Sequence, residues 1–139
     1  MAAHTMTQDQ AAARAEQIVR DTAAALTPKP RLESAPVFGN GPSPCLANVP
    51  NAGKMVSVAY GYWLRDIPES ANAAIGQQVK AYWQKQGYRI DTAKGLGNGQ
   101  PDISGTTKDD FLISLNWSSN GALSMGATSP CVYPHGTAP

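Results

Sequence analysis

Each of the chain's two cysteines ends the same tripeptide, Ser43-Pro44-Cys45 and Ser129-Pro130-Cys131, and the two copies lie far apart in the sequence. Proline holds its own φ near about −65° and pushes the residue before it into extended backbone. Both thiols are therefore expected in rigid, extended segments. An even count at wide separation fits a disulfide, Cys45 to Cys131, joining the start of the folded region to its end. Closing so long a loop would remove roughly 4–5 kcal/mol of unfolded-state entropy in the chain-entropy picture. The alternative is two free, buried thiols packed as small hydrophobes. Neither cysteine lies on an apolar helix face or in a CxxC motif, so the disulfide is the expected state, and with it an oxidising compartment.

The length, 139 residues, fits one domain that can bury a core without help from a metal. Residues 7–134 carry the patterned sequence and are expected to form it. Residues 1–6 read as an initiating segment and 135–139 as a tail without order. A net charge of +1 supplies no field of one sign, which argues against nucleic acid and against direct attraction to an anionic membrane. The best apolar run, Met55 to Leu64, contains Ser57 and Gly61 and falls well short of the ~20 residues a bilayer-spanning helix needs. Met1-Ala2-Ala3-His4 lacks the basic start and apolar stretch of a signal peptide.

Thr7 to Leu26 is expected to be helical. Thr7 and Gln10 form a capping-box pattern, and Ala11, Ala15, Ile18, Val19, Ala23 and Leu26 make a narrow apolar stripe. Pro28 and Pro30 end it. Pro28 to Gly53, with six prolines, reads as a loop or extended arm carrying Cys45. Lys54 to Leu64 reads as a strand. Val56, Val58, Tyr60, Tyr62 and Leu64 share one face; Met55, Ser57, Ala59, Gly61 and Trp63 share the other, which is smaller and could sit under a helix. The pattern leaves open which face is inward. A second helix starts at Pro68, with Ile75, Val79, Tyr82, Trp83 and Gln86 in its stripe. Strands follow over Tyr88 to Thr92, Asp102 to Thr106 and Asp110 to Ser118, then Leu123, Met125 and Ala127 alternate beyond the Asn120-Gly121 hairpin turn. Helix, strand, helix and then three to four antiparallel strands predict an α+β fold, a meander with both helices on one sheet face.

Signals for chemistry are sparse. The histidines, His4 and His135, lie in the terminal segments, away from carboxylates at ligand spacing. Asp109-Asp110 precedes a strand and is explained by a turn. Gly95-Leu96-Gly97-Asn98-Gly99 lacks the following Lys-Ser/Thr and helix start of a phosphate loop and reads as a hairpin connection. No serine-nucleophile motif is present. Asn116-Trp117-Ser118 matches a glycosylation acceptor by letter only. No catalytic residue, metal ligand or cofactor is therefore assigned.

The aromatics stand out, because tyrosine and tryptophan dominate and phenylalanine is scarce. Such rings bury an apolar body and keep a polar tip near water. Tyr60, Tyr62, Trp63, Tyr82, Trp83 and Trp117 are the candidate binding residues, set against an ordinary role in the core.

The Ala-rich first helix, the Pro-rich arm with Cys45, and the ending Phe111-Leu112-Ile113-Ser114-Leu115, Leu123-Ser124-Met125 and Ser129-Pro130-Cys131-Val132-Tyr133-Pro134 resemble small exported lipoproteins of actinobacteria. The likeness spans residues 7 to 134 and is closest in the last segment. It implies an envelope location and a lipid-anchored parent, and it brings no catalytic residues. The cysteine that would carry the lipid is not among these residues. The function expected is a non-enzymatic envelope domain that binds a protein or a small apolar ligand. It would take no nucleic acid and meet a membrane only through a lipid anchor. The competing expectation is a secreted hydrolase using scattered carboxylates.

Overall fold

Helix α1 (Gln8–Ala24) starts where its capping pattern predicts. The Thr7 hydroxyl accepts from the Gln10 amide, and the Gln10 side chain accepts from the Thr7 amide. Two donors that a helix start leaves orphaned are thereby satisfied. In this computed structural model, which describes residues 4–45 and 54–138, the alanine stripe lies against a sheet. Ala11, Ala15 and Val19 are completely buried, and their small size lets the helix lie close to β3 (Val56–Arg65) and β7 (Leu123–Thr128).

The larger face of β3 is the inward one. Val58, Tyr62 and Leu64 are buried in the core with the α1 stripe. The smaller face, expected as a possible helix seat, points instead to the side without helices. The reason is apolar area along the middle of the strand, where burying Val58, Tyr60 and Tyr62 removes far more of it from water than burying Ser57, Ala59 and Gly61 would; Met55 and Trp63 flank that small stretch. The wide face therefore takes the helix.

Helix α2 (Asn72–Lys85) begins later than the proline signal suggests. Pro68 is extended, and a single 3-10 turn over Glu69–Ala71 intervenes. Of its expected stripe, Ile75, Val79 and Trp83 are wholly inside and Tyr82 is half-buried, whereas Gln86 is the exposed C-cap beyond the last helical turn. The two helices pack together on the same sheet face. Trp83 links them: its indole donates to the Thr22 hydroxyl at 2.9 Å, which in turn donates to the Ile18 carbonyl.

The meander of β4 (Arg89–Lys94), β5 (Asp102–Thr106), β6 (Leu112–Trp117) and β7 is antiparallel throughout, and β3 adds to its far side along β7. Ile103, Ile113, Leu115, Leu123 and Met125 face the helices and are buried. The fold is α+β, as the element order predicts.

The sheet is larger than expected, with seven strands among the described residues. The arm expected as a loop supplies two of them, β1 (Arg31–Ser34) and β2 (Gly41–Pro44), both antiparallel to β3; residues 46–53 of that arm lie outside the described residues. β1 runs along Tyr62–Arg65 and β2 along Val56–Ala59. Pro42 and Pro44 hide these strands from a sequence reading. Proline is tolerated on a sheet edge, where no outer neighbour needs its amide, and it blunts that edge against further pairing.

Cys45 and Cys131 are joined as a disulfide with Cα atoms 6.0 Å apart. Pro44 pairs with Val56 on one side of β3 and Val132 pairs with Val56 on the other. The bridge thus closes the sheet around the first residue of β3.

The segments 4–8 and 133–137 meet, which the sequence did not suggest. The Thr5 amide donates to the Gly136 carbonyl, the Tyr133 amide to the Thr5 hydroxyl, and the Gln8 amide to the Pro134 carbonyl. His4 forms a bridge with Thr137. Gln8 opens α1, so its amide has no partner within the helix. The returning tail provides one.

Candidate functional site

Between β1 and β2 the chain turns through Pro36–Phe38 and is stitched to the backbone of Gly61. The Ala35 amide donates to the Gly61 carbonyl at 3.0 Å, and the Gly61 amide donates to the Asn40 side-chain carbonyl at 2.8 Å. This turn carries the Phe38 ring over the sheet face that no helix covers. Gly61 and Gly126 are direct cross-strand partners there. A Cβ on either one would lie inside the ring of Phe38. The paired glycines therefore form a seat for one aromatic ring.

Beside that seat is a shallow concavity of ≈ 410 Å³, lined by Phe38, Trp63, Asn116, Ser118 and Ser124. The Arg65 guanidinium lies 5.2 Å from the centre of the Trp63 ring, a cation–π distance. Arg65 also pairs with Glu33 at 3.2 Å and holds its carboxyl below the usual carboxylate range. A second concavity of ≈ 290 Å³ opens on the same face at Ser104, Leu112, Ser114, Thr128 and Asp91. Leu112 is 58% exposed, the one large hydrophobic side chain so exposed among the described residues.

The six aromatic residues singled out by sequence do not form one patch. Tyr62 and Trp83 are in the core. Tyr60, Tyr82 and Trp117 are half-buried and pack against it from the helix side. Trp63 alone reaches the open face. Strand alternation separates it from Tyr60 and Tyr62, since successive side chains point to opposite faces. Burial pushes the Tyr62 and Tyr82 phenols up from their ordinary value, as desolvation of a would-be phenolate requires.

Sequence reasoning assigned no role to Phe38 or Ser124, and singled out Asn116 and Ser118 only as part of a glycosylation pattern. A signal was present for Phe38. Glycine inside a strand, as at Gly61 and Gly126, often marks a close approach by another group, and a lone phenylalanine in the neighbouring arm is a candidate to fill it.

The remaining titratable groups are dispersed. Asp109 accepts from Arg14 Nε at 2.9 Å and from the Thr107 hydroxyl. The Arg14 bond is the main reason its carboxyl titrates below the usual range. Asp110 follows in the left-handed region, at φ 68°, so the acidic pair belongs to the β5–β6 turn. Asp91 is likewise lowered, by Arg89 first and Thr106 second. All three displaced carboxylates move down, away from the raised values that suit a general acid. Gly95 to Gly99 forms the β4–β5 connection, closed by the Gln100 amide on the Gly95 carbonyl. His135 lines a surface cleft with Lys54, Tyr133 and Pro134. Among the described residues no three His, Cys, Asp or Glu side chains converge as metal ligands would.

No family model, curated protein or solved structure matches this chain. The open sheet face is thus characterised by its own geometry.

The glycine seat makes a prediction. Gly126→Val should unseat Phe38 and lower the unfolding free energy by about 1–3 kcal/mol, the usual cost of overpacking. Phe38→Ala added to Gly126→Val should then cost far less than it does alone, because the ring has already left. Urea unfolding of the two single variants and the double variant measures this coupling. Additive losses would show that Phe38 does not rest on Gly126.

Proposed function

We propose that this chain is a non-enzymatic binding domain of the cell envelope whose ligand surface is the open face of the sheet around Phe38 and Trp63. The observation that carries the reading is the concavity of ≈ 410 Å³ these two rings border on the face opposite the helices. Ligand sites are typically concave, mainly apolar and furnished with a few placed polar groups. This one combines two aromatic rings with one amide and two hydroxyls. The partner is a small ligand that presents an apolar face to these rings, or the apolar side chains of an envelope protein.

The envelope location draws support from the Cys45–Cys131 disulfide, since such bridges persist in oxidising compartments. No helix among the described residues is long and apolar enough to cross a membrane. Attachment through a lipid is the part of the proposal that the resemblance to exported lipoproteins supports.

The apolar probe anilinonaphthalene sulfonate tests the surface. Titrated into the native, 15N-labelled chain, it should bind saturably and shift the amide signals of Trp63, Ser124 and Gly126, leaving those of α1 in place. Phe38→Ala and Trp63→Ala should each weaken it about tenfold, the loss of one good aromatic contact. Shifts confined to the helices, or no saturable binding, would sink the reading.

A further inference from the structure

We infer that the open sheet face is a site for an uncharged glycan, in which the concavity bordered by Phe38 and Trp63 receives the apolar face of a sugar ring and the Ser124 hydroxyl pairs with a sugar hydroxyl. This rests on the binding-domain reading and names the ligand class for it.

Ser124 decides the chemistry. It lines the concavity and is only 6% exposed, yet among the described residues its hydroxyl makes no hydrogen bond. Its backbone pairs with Trp63 on one side and Asn116 on the other, which aims the side chain out of the sheet between those two residues. That hydroxyl still reaches water through the concavity, since among the described residues Asn72 Oδ1 is the one fully buried side-chain polar atom without a partner; a ligand that covers Ser124 must therefore replace that water with a hydrogen bond of its own. Asn116 donates its amide to Asp102 at 3.1 Å, and its carbonyl oxygen remains available to a donor. Ser118 also has no side-chain hydrogen bond among the described residues.

The charge balance narrows the ligand. Phe38, Trp63, Asn116, Ser118 and Ser124 carry no formal charge, and the Asp102 carboxylate beside them already accepts from the Asn116 amide, so the lining itself offers a charged ligand no opposing charge. Arg65, which lies over the Trp63 ring, is paired with Glu33. A wholly apolar ligand would seal Ser124 away without a partner. A sugar meets both demands, since its ring presents C–H groups on a face and hydroxyls that donate and accept at its edge. An aromatic ring provides the complementary apolar platform, and serine and asparagine side chains provide complementary donors and acceptors.

The site is long enough for a chain of sugars. Trp63, Ser124 and Asn116 are cross-strand neighbours, and Ser114 and Ser104 continue the same face in the adjoining row. From β3 to β5 is three inter-strand steps, about 14 Å at ~4.8 Å each. The second concavity lies at that end. Its one charged group, Asp91, is taken up by Arg89 and the Thr106 hydroxyl.

The test titrates the full 15N-labelled chain with cellohexaose, chitohexaose and maltohexaose, by calorimetry and by amide shifts. At least one should bind saturably at millimolar concentration or below and move Trp63, Ser124, Asn116 and Ser114. Ser124→Ala, which changes little volume, should weaken that binding about 3–10-fold, one hydrogen bond's worth. Trp63→Ala should weaken it about tenfold or more. Trp63→Phe, which keeps a ring, should recover part of the loss and guards against misfolding of the alanine variant. If none of the three hexasaccharides binds while anilinonaphthalene sulfonate still does, the glycan class is wrong and the binding surface stands. If neither probe binds, both fall. Saccharide binding unchanged in Ser124→Ala, or mapped to another face, also overturns the inference.

Discussion

Trp83→Ala is expected to lower the unfolding free energy by about 3–5 kcal/mol, the usual range for deleting a large buried aromatic. Against a total stability on the order of 5–15 kcal/mol, that removes a large share. Trp83 is completely buried, and it is the α2 residue whose indole is tied to α1. Truncation leaves a cavity between the helices, and it strips the Thr22 hydroxyl of its donor. Two further variants separate these effects. Trp83→Phe keeps most of the volume and should lose only about 1 kcal/mol, the net worth of a hydrogen bond. Thr22→Val leaves the indole N–H buried and unpaired, and should cost about 1–3 kcal/mol. Equilibrium urea unfolding followed by far-ultraviolet circular dichroism checks all three. A loss below about 1 kcal/mol in Trp83→Ala would mean the helices are not held together through this residue.

The same residue shows how far the sequence could be read. Its helical spacing with Ile75 and Val79 placed Trp83 correctly on the stripe of a second helix. Spacing alone could not say whether so large a ring was core or contact surface, because Trp serves both roles. Alternation was more decisive in the strands. In β6 the apolar Ile113 and Leu115 alternate with Ser114 and Asn116, and the structure buries the first pair and leaves the second half-buried on the open face. β3 resisted that treatment, since Tyr60 and Tyr62 on one face and Trp63 on the other both carry apolar surface. Only the arrival of α1 decides between them.

The arm was opaque for a different reason. Proline-rich stretches lack the period that marks a strand, and β1 and β2 exist because β3 offers them an edge. The candidate site inherits that difficulty. Phe38 comes from the arm, Trp63 from β3, Ser124 from β7 and Asn116 from β6, so the site is assembled by pairings between segments distant in the sequence. Local pattern could flag Trp63. It had no means of bringing Ser124 beside it, because strand order and register are properties of the closed sheet.

The disulfide offers the second large effect. Cys45 and Cys131 are 86 residues apart in sequence, and opening a loop of that length returns roughly 4–5 kcal/mol of entropy to the unfolded chain, less where native strain or residual structure intervenes. The oxidised protein should yield one linked peptide containing both cysteines and no alkylatable thiol by mass spectrometry. Cys45→Ala/Cys131→Ala should then unfold at markedly lower denaturant. The damage should begin locally. β2 is held on β3 by only a short ladder from Gly41–Ala59 to Pro44–Val56, and beyond it the Cys45 amide donates to the Met55 carbonyl. Without the bridge, amides of that ladder should exchange with solvent faster than those of the β3–β7 and β6–β7 pairs, as expected of a weakly held edge. Phe38 sits in the turn between β1 and β2, so a loosened arm should also weaken anilinonaphthalene sulfonate binding on the open face. Native air-oxidised protein with two reactive thiols would remove the case for an oxidising compartment. A double variant within about 1 kcal/mol of the parent, with unchanged exchange along β2, would show that the edge strands hold themselves without the covalent link.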